Sequence, residues 1–145
     1  MTSAAADLLA FCRLFGMTER VSICCGDVSV AQCVTLQLLL AAPTDSSSLA
    51  EQTRVTKGAV TRLIDGLSKR GWVDKSPDEN DGRRAVLSLT AAGKKKARDL
   101  ERLTEQTVDA LLAELPRGKR TQVVESIRLL REAAERLGEE LGCGC

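Results

Sequence analysis

Three cysteines crowd into ten residues, Cys24 and Cys25 in tandem and Cys33 further on, in the stretch ICCGDVSVAQC. A terminal pair, Cys143 and Cys145, forms a C-x-C, and Cys12 lies near the start. Thiolates are soft ligands. Two neighbouring thiolates and a third nearby suit an arsenite-like trivalent centre, mercury(II), zinc or an iron–sulfur cluster. A disulfide between adjacent cysteines would strain the backbone, so metal or redox chemistry at Cys24, Cys25 and Cys33 is expected instead, with Cys143 and Cys145 as candidates to complete the site. Ser29 and Gln32 have the spacing of a capping box, which places Cys33 in a first helical turn, where the macrodipole favours thiolate. Cys12 sits on an apolar stripe with Leu8, Phe11 and Phe15 and reads as a small buried hydrophobe. The chain has no histidine, which removes the usual general base and the usual nitrogen ligand for a metal. With no C-x-x-C and no nucleotide-binding glycine loop either, an enzyme such as a thiol reductase is disfavoured.

A second constellation is basic. Between Arg54 and Arg98 there are twelve Lys/Arg against five Asp/Glu, whereas the whole chain has a formal net charge of +1 and each flank carries a net −3. A positive face on a near-neutral chain fits a polyanion engaged through one surface. Within it, Thr56, Lys57, Gly58, Thr61 and Arg62 lie opposite an apolar stripe of Val60, Leu63, Ile64 and Leu67, at the start of an amphipathic helix. Arg62 is suited to guanine O6 and N7, Thr56 and Thr61 to a thymine methyl or a phosphate, and Lys57 to phosphate. Gly58 weakens a first turn, which close backbone approach to a phosphate would justify. Further on, Asp81, Arg83 and Arg84 surround a turn. One arginine is expected to enter a minor groove, while Asp81 holds an arginine or caps the turn.

The elements that must position these residues follow from periodicity and punctuation. Residues 4–17 read as a first helix, and Ser22 to Asp27 as a connector. A second helix starts after Ser29 and runs to about Ala42, ahead of Pro43. A short helix, SLAEQT, has Ser48 and Glu51 at capping-box spacing. Thr56 caps the next helix, which runs to about Arg70 and ends at Gly71 as a left-handed C-cap. The β-prone runs Trp72 to Lys75 and Arg84 to Leu89 flank a Pro-Asp-Glu-Asn-Asp-Gly turn. Thr90 caps a long helix through Leu115, Pro116 breaks it, and a last helix spans about Arg117 to Leu141 with Val123, Val124, Ile127, Leu130, Ala134 and Leu137 on one side. The fold class expected is mainly α with a small β wing, in which a helix followed by a two-stranded hairpin with a basic tip forms a winged helix-turn-helix. Aromatics are limited to Phe11, Phe15 and Trp72, so aliphatic side chains must build the core. No apolar run reaches about 18 residues, and MTSAAADLLAFCRLF has no basic region ahead of its apolar stretch, so neither a membrane span nor a signal peptide is indicated and a cytoplasmic location is expected.

Residues 48–98, SLAEQTRVTKGAVTRLIDGLSKRGWVDKSPDENDGRRAVLSLTAAGKKKAR, resemble the core of the MarR family of winged-helix transcriptional regulators, including a D-x-R-R wing at Asp81, Arg83 and Arg84. The resemblance implies a single MarR-like domain over 1–145, with a DNA-binding lobe at 30–92 and dimerisation helices at 1–20 and 93–145. It further implies an obligate homodimer that binds a pseudo-palindromic operator on double-stranded DNA, usually as a repressor. The Cys24, Cys25 and Cys33 cluster departs from the generic family pattern, and the scarcity of aromatic residues argues against an aromatic-ligand pocket. The expected function is therefore a regulator released from DNA by thiol chemistry, through a soft metal or metalloid ion, an iron–sulfur cluster, or oxidation of Cys33 or Cys25 by peroxide or an electrophile. An interaction module without an effector is the remaining alternative.

Overall fold

The computed structural model describes residues 3–14 and 26–140, in the order α1 Ser3–Leu14, α2 Val30–Ala41, β1 Thr44–Asp45, α3 Ser46–Thr53, α4 Lys57–Lys69, β2 Val73–Pro77, β3 Ala85–Leu89, α5 Ala91–Ala113 and α6 Arg120–Glu140. The expected end of the first helix and most of the connector, including Cys24 and Cys25, lie outside the described residues, as do Cys143 and Cys145. The fold is mainly helical with one small antiparallel sheet, as the sequence pattern requires. Among the described residues no helix is long and apolar enough to cross a membrane.

Local chemistry explains most boundaries. Ser29 caps α2 through a full capping box: its hydroxyl accepts from the Gln32 amide at 3.2 Å, and its own amide donates to Gln32 Oε1 at 3.0 Å. Thr56 and Thr90 cap α4 and α5 by accepting from the amides of Ala59 (3.2 Å) and Gly93 (3.0 Å). Gly71 at φ +73° ends α4, its amide donating to the Ser68 carbonyl at 2.9 Å and that of Trp72 to Leu67 at 3.1 Å. Glycine reaches this left-handed geometry without the Cβ penalty.

Three expectations need correction. The short helix starts at Ser46, two residues before Ser48, and its cap is Asp45, whose Oδ1 accepts from the amides of Ser47 at 2.8 Å and Ser48 at 3.0 Å. A carboxylate is a better acceptor than a hydroxyl there, and it also meets the positive end of the helix. Thr44 and Asp45, ahead of the short helix, pair with Leu87 and Val86 as a strand beyond the two expected, giving the order β1-β3-β2. The last helix begins at Arg120, because Pro116 to Lys119 closes a turn, with Gly118 at φ +81° and the Lys119 amide donating to the Pro116 carbonyl at 3.1 Å.

The core lies where α2, α3, α4 and α5 meet the sheet, through Leu36, Leu49, Val60, Ile64, Leu67, Leu87 and Leu100. The stripe of α4 is the deepest part, since Val60, Ile64 and Leu67 are all essentially inaccessible, each worth roughly 1.5–3 kcal/mol when fully buried. That anchorage fixes which face of α4 points outward. α1 and α6 behave differently. Among the described residues neither packs extensively against another element, and Leu8, Leu9 and Leu14 of α1 and Val124, Ile127, Leu130 and Leu137 of α6 remain about half or more exposed.

Candidate nucleic-acid interface

With Val60, Ile64 and Leu67 buried, Thr56, Lys57, Gly58, Thr61 and Arg62 all lie exposed at or near the N-terminal end of α4. Two of them are already engaged by the backbone. The Thr56 hydroxyl accepts from Ala59, which leaves its own proton free for an outside acceptor. The Thr61 hydroxyl donates to the Lys57 carbonyl at 3.0 Å, so its donor is used and its methyl is the group left for a partner. A Cβ built on Gly58 would meet nothing within 4 Å. The protein's own packing therefore gives no reason for a glycine in this turn.

The wing tip is built by its own acids. The Asp78 amide donates to the Arg84 carbonyl and the Arg84 amide to the Asp81 carbonyl, both at 2.9 Å. The carboxylate of Asp81 accepts from the Arg83 amide at 3.1 Å, and that of Asp78 from the Asn80 amide at 2.8 Å. Of the two roles expected for Asp81, the geometry shows the turn cap. Arg83 and Arg84 close the wing turn just ahead of β3 and line a cleft of about 230 Å³ with Asp45, Ser46 and Ser47. The Ser48 amide holds the Asp45 carboxyl below the usual carboxylate range, helped by the Ser48 hydroxyl, the Ser47 amide and the charge of Arg84, against a smaller opposing effect of burial. The same carboxylate thus caps α3, sits in the third strand and faces a wing arginine.

Charge pairing separates the cations into two groups. Lys75 is bound by Asp65 at 2.6 Å, Lys96 by Asp27, and Arg120 by Asp109 at 2.6 Å. Lys75 holds the Asp65 carboxyl low, and Lys96 does the same to Asp27. Among the described residues Lys57, Arg62, Arg83 and Arg84 take part in no ion pair. The positive charge left without an ion pair thus includes Lys57 and Arg62 of α4 and both arginines of the wing turn.

The wing is fixed to the helices through Trp72, a link that sequence reasoning missed. Two cations approach its ring, the Arg70 guanidinium at 4.7 Å from the centroid and the Lys96 ammonium at 5.2 Å. Asp27 reaches both cations. The first turn of α5 presses against the Trp72 backbone so closely that a Cβ on Gly93 would fall 1.9 Å from the Trp72 carbonyl oxygen. Gly93 is required by that approach.

Cys33 is the fourth residue of α2 and is 7% exposed, within the core. It also lines a cavity of about 500 Å³ between α2 and α5, together with Val30, Val34, Leu38 and, at the polar side, Gln37, Glu101 and Glu105. Gln37 ties the two helices by donating to the Ala97 carbonyl at 2.8 Å. Cys12 is half-buried on α1. Among the described residues no three His, Cys, Asp or Glu side chains come together as a metal site. The expected partners of Cys33 all lie outside those residues.

Comparison with known proteins gives a consistent picture. Residues 27–84 match the MarR family model. The uncharacterized HTH-type transcriptional regulator YcgE of Bacillus subtilis is 41% identical over 70 residues, covering 48% of this chain and 46% of that protein. The matched segment spans about half the length of the curated relatives. Among solved structures, a MarR transcriptional regulator from Methanosarcina mazei superposes with a TM-score of 0.75 at 20% identity, over 94% of this chain and 99% of that one. FabT of Streptococcus pneumoniae, solved in complex with DNA, gives 0.67 at 22% identity, over 93% and 92%. The B. subtilis and M. mazei proteins are both named as transcriptional regulators.

Proposed function

We propose that the chain is a MarR-type transcriptional regulator that binds double-stranded DNA through its winged helix-turn-helix lobe, a reading supported by the match of residues 27–84 to the MarR family model and by 41% identity over 70 residues to an HTH-type transcriptional regulator. The observation that carries this reading is the split among the cations: Lys57, Arg62, Arg83 and Arg84 make no ion pair at the start of α4 and in the wing turn, while Lys75 and Lys96 are paired with Asp65 and Asp27. A polyanion is what completes such a surface. Arg62, in the second turn of α4, is the base reader; Lys57 and the Thr56 hydroxyl serve phosphates, and Arg83 and Arg84 serve the minor groove or its rim. FabT, crystallised on DNA, shares this fold.

Dimerisation completes the reading. The apolar faces of α1 and α6, bare in the single chain, fit a second copy, and two-fold symmetry would present two recognition helices to a pseudo-palindromic operator, which the protein represses. Arg62→Ala should weaken operator binding by roughly 1–3 kcal/mol and relax preference at one position per half-site, whereas Arg83→Ala should weaken binding to all sequences and flatten its salt dependence. Equal affinity of the wild type and the Arg62→Ala, Arg83→Ala double variant would reject the assignment.

The effector reading rests on the thiols. Cys33 lines the cavity between α2 and α5 and lies in the first turn of α2, which follows the tandem Cys24 and Cys25 in sequence. Ligation or oxidation there would shift α2 against α5, and with it the spacing of the two lobes. Cys25→Ser, Cys33→Ser protein should bind operator like the wild type and lose release by arsenite, zinc or peroxide; retained full release by all three would place the effector elsewhere.

A further inference from the structure

Two residues in this chain are locally unfavourable where they stand, and one contact explains both. Arg54 is the sole non-glycine residue with positive φ among those described, at +55°, in the turn between α3 and α4. Left-handed backbone strongly favours glycine or asparagine, and an arginine there carries a steric penalty. Gly138 lies inside α6, where glycine is the poorest helix former after proline. Arg54 Nη2 donates to the carbonyl of Glu135, 81 positions further along the chain in α6, at 3.2 Å. A Cβ on Gly138 would lie 1.8 Å from Arg54 Nη1 and 3.0 Å from its Cζ, so the guanidinium rests on the bare backbone that the glycine provides. The carboxylate of Glu135 is held by Arg131 at 2.7 Å, which makes the contact one of guanidinium with main chain. The last turns of α6 also carry the negative end of its macrodipole, which favours a cation.

We propose that Arg54 is a positioning residue for DNA reading: it latches the turn of the helix-turn-helix onto α6, so the C-terminal helix sets the placement of the recognition helix. This rests on the DNA-binding function proposed above. Lys57 begins α4 three residues after Arg54, so a shift of the turn is a shift of the reading end. α6 has no extensive contact with any other described element, and the latch is therefore a direct route from the helix proposed to pair with a second copy to the surface proposed to meet DNA.

The test exploits the fact that both natural breaks of the latch are favourable to the local backbone. Arg54→Gly removes the left-handed strain, and Gly138→Ala improves α6 while its methyl displaces only the far end of a flexible side chain. Full-length wild type, both single variants and the double variant would be compared on a duplex that the wild type selects from a random pool. A latch predicts unchanged or higher melting temperatures, a loss of affinity of about fivefold or more in each single variant, an unaltered salt slope, and no further loss in the double variant. Wild-type affinity in Gly138→Ala alongside a reduced salt slope in Arg54→Gly would make Arg54 a simple phosphate contact and overturn the proposal, as would additive losses. If no protein in the set bound any duplex, the DNA-binding function itself would fall, and hydrogen exchange would still decide the latch. The Val55 amide, which donates to Ala50 at 3.2 Å, should exchange faster in Gly138→Ala than in wild type, and an equal rate would refute the coupling.

Discussion

The wing turn offers the sharpest test of how this surface is built, because Asp81 is an acid on a face proposed to meet DNA. Its carboxylate accepts from the Arg83 amide at 3.1 Å, and its carbonyl accepts from Arg84 at 2.9 Å. Truncation to alanine removes the first bond and keeps the second. Asp81→Ala and Asp81→Asn both delete a negative charge beside DNA, which by itself tightens binding. Only the asparagine retains a side-chain acceptor for the Arg83 amide. Losing such a side-chain-to-backbone cap costs about 1 kcal/mol, which is roughly a fivefold change in an equilibrium constant. Because the loop is exposed and remote from the core, that free energy should appear in DNA binding and hardly in melting. Fluorescence anisotropy on a selected operator at several salt concentrations should therefore find Asp81→Asn at least as tight as wild type and Asp81→Ala about fivefold weaker than Asp81→Asn. Equal affinities for the two variants would refute turn capping as the role of Asp81. If both were weaker than wild type, the charge itself would be at work, holding an arginine side chain.

Gly93→Ala should destabilise the lobe by at least about 2 kcal/mol despite the better helix former, since the clash is with backbone and not with a movable side chain; thermal unfolding reads it, and an unchanged midpoint would mean that α5 does not press on Trp72. Leu130→Lys should weaken self-association on the order of a hundredfold, because a side chain worth roughly 1.5–3 kcal/mol is lost twice across a two-fold axis. Sedimentation equilibrium measures this, and an unaltered dimer, or a wild-type monomer, would remove α6 from the interface.

The parts of the fold legible in sequence are those written in local chemistry. Ser29 with Gln32, Thr56, Gly71 and Thr90 each mark a boundary through groups within a few residues, and the structure places each boundary within one or two positions of expectation. The stripe Val60, Ile64 and Leu67 identifies the buried face of α4 and hence the exposed one. Where local signals compete, reading fails. Asp45 and Ser48 are both good caps three residues apart, and only the pairing of Thr44 with Leu87 decides for Asp45. A two-residue strand has no periodicity to detect. Gly93 and Trp72 are distant contributors to one contact, and nothing in either neighbourhood announces it. The cavity beside Cys33 is likewise a property of how α2 and α5 diverge, not of either helix alone.

Local misfits are the part of this sequence that points beyond the fold. A chain whose propensities all agree with its structure says little about function, whereas a residue that breaks a local rule needs a compensating gain somewhere. Gly93 finds that gain inside the lobe, against the Trp72 carbonyl. Gly138 finds it between parts of the chain, under the Arg54 guanidinium. Gly58 finds none in the protein, with open space where its Cβ would stand. It lies in the first turn of α4 beside Lys57 and one turn before Arg62, and the remaining gain is close approach of a ligand to the backbone amides of that turn. Gly58→Ala thus separates the two explanations: it should raise stability by up to about 1 kcal/mol and weaken DNA binding if phosphate approaches the amides. A variant both more stable and fully competent on DNA would leave the glycine without a role at the interface.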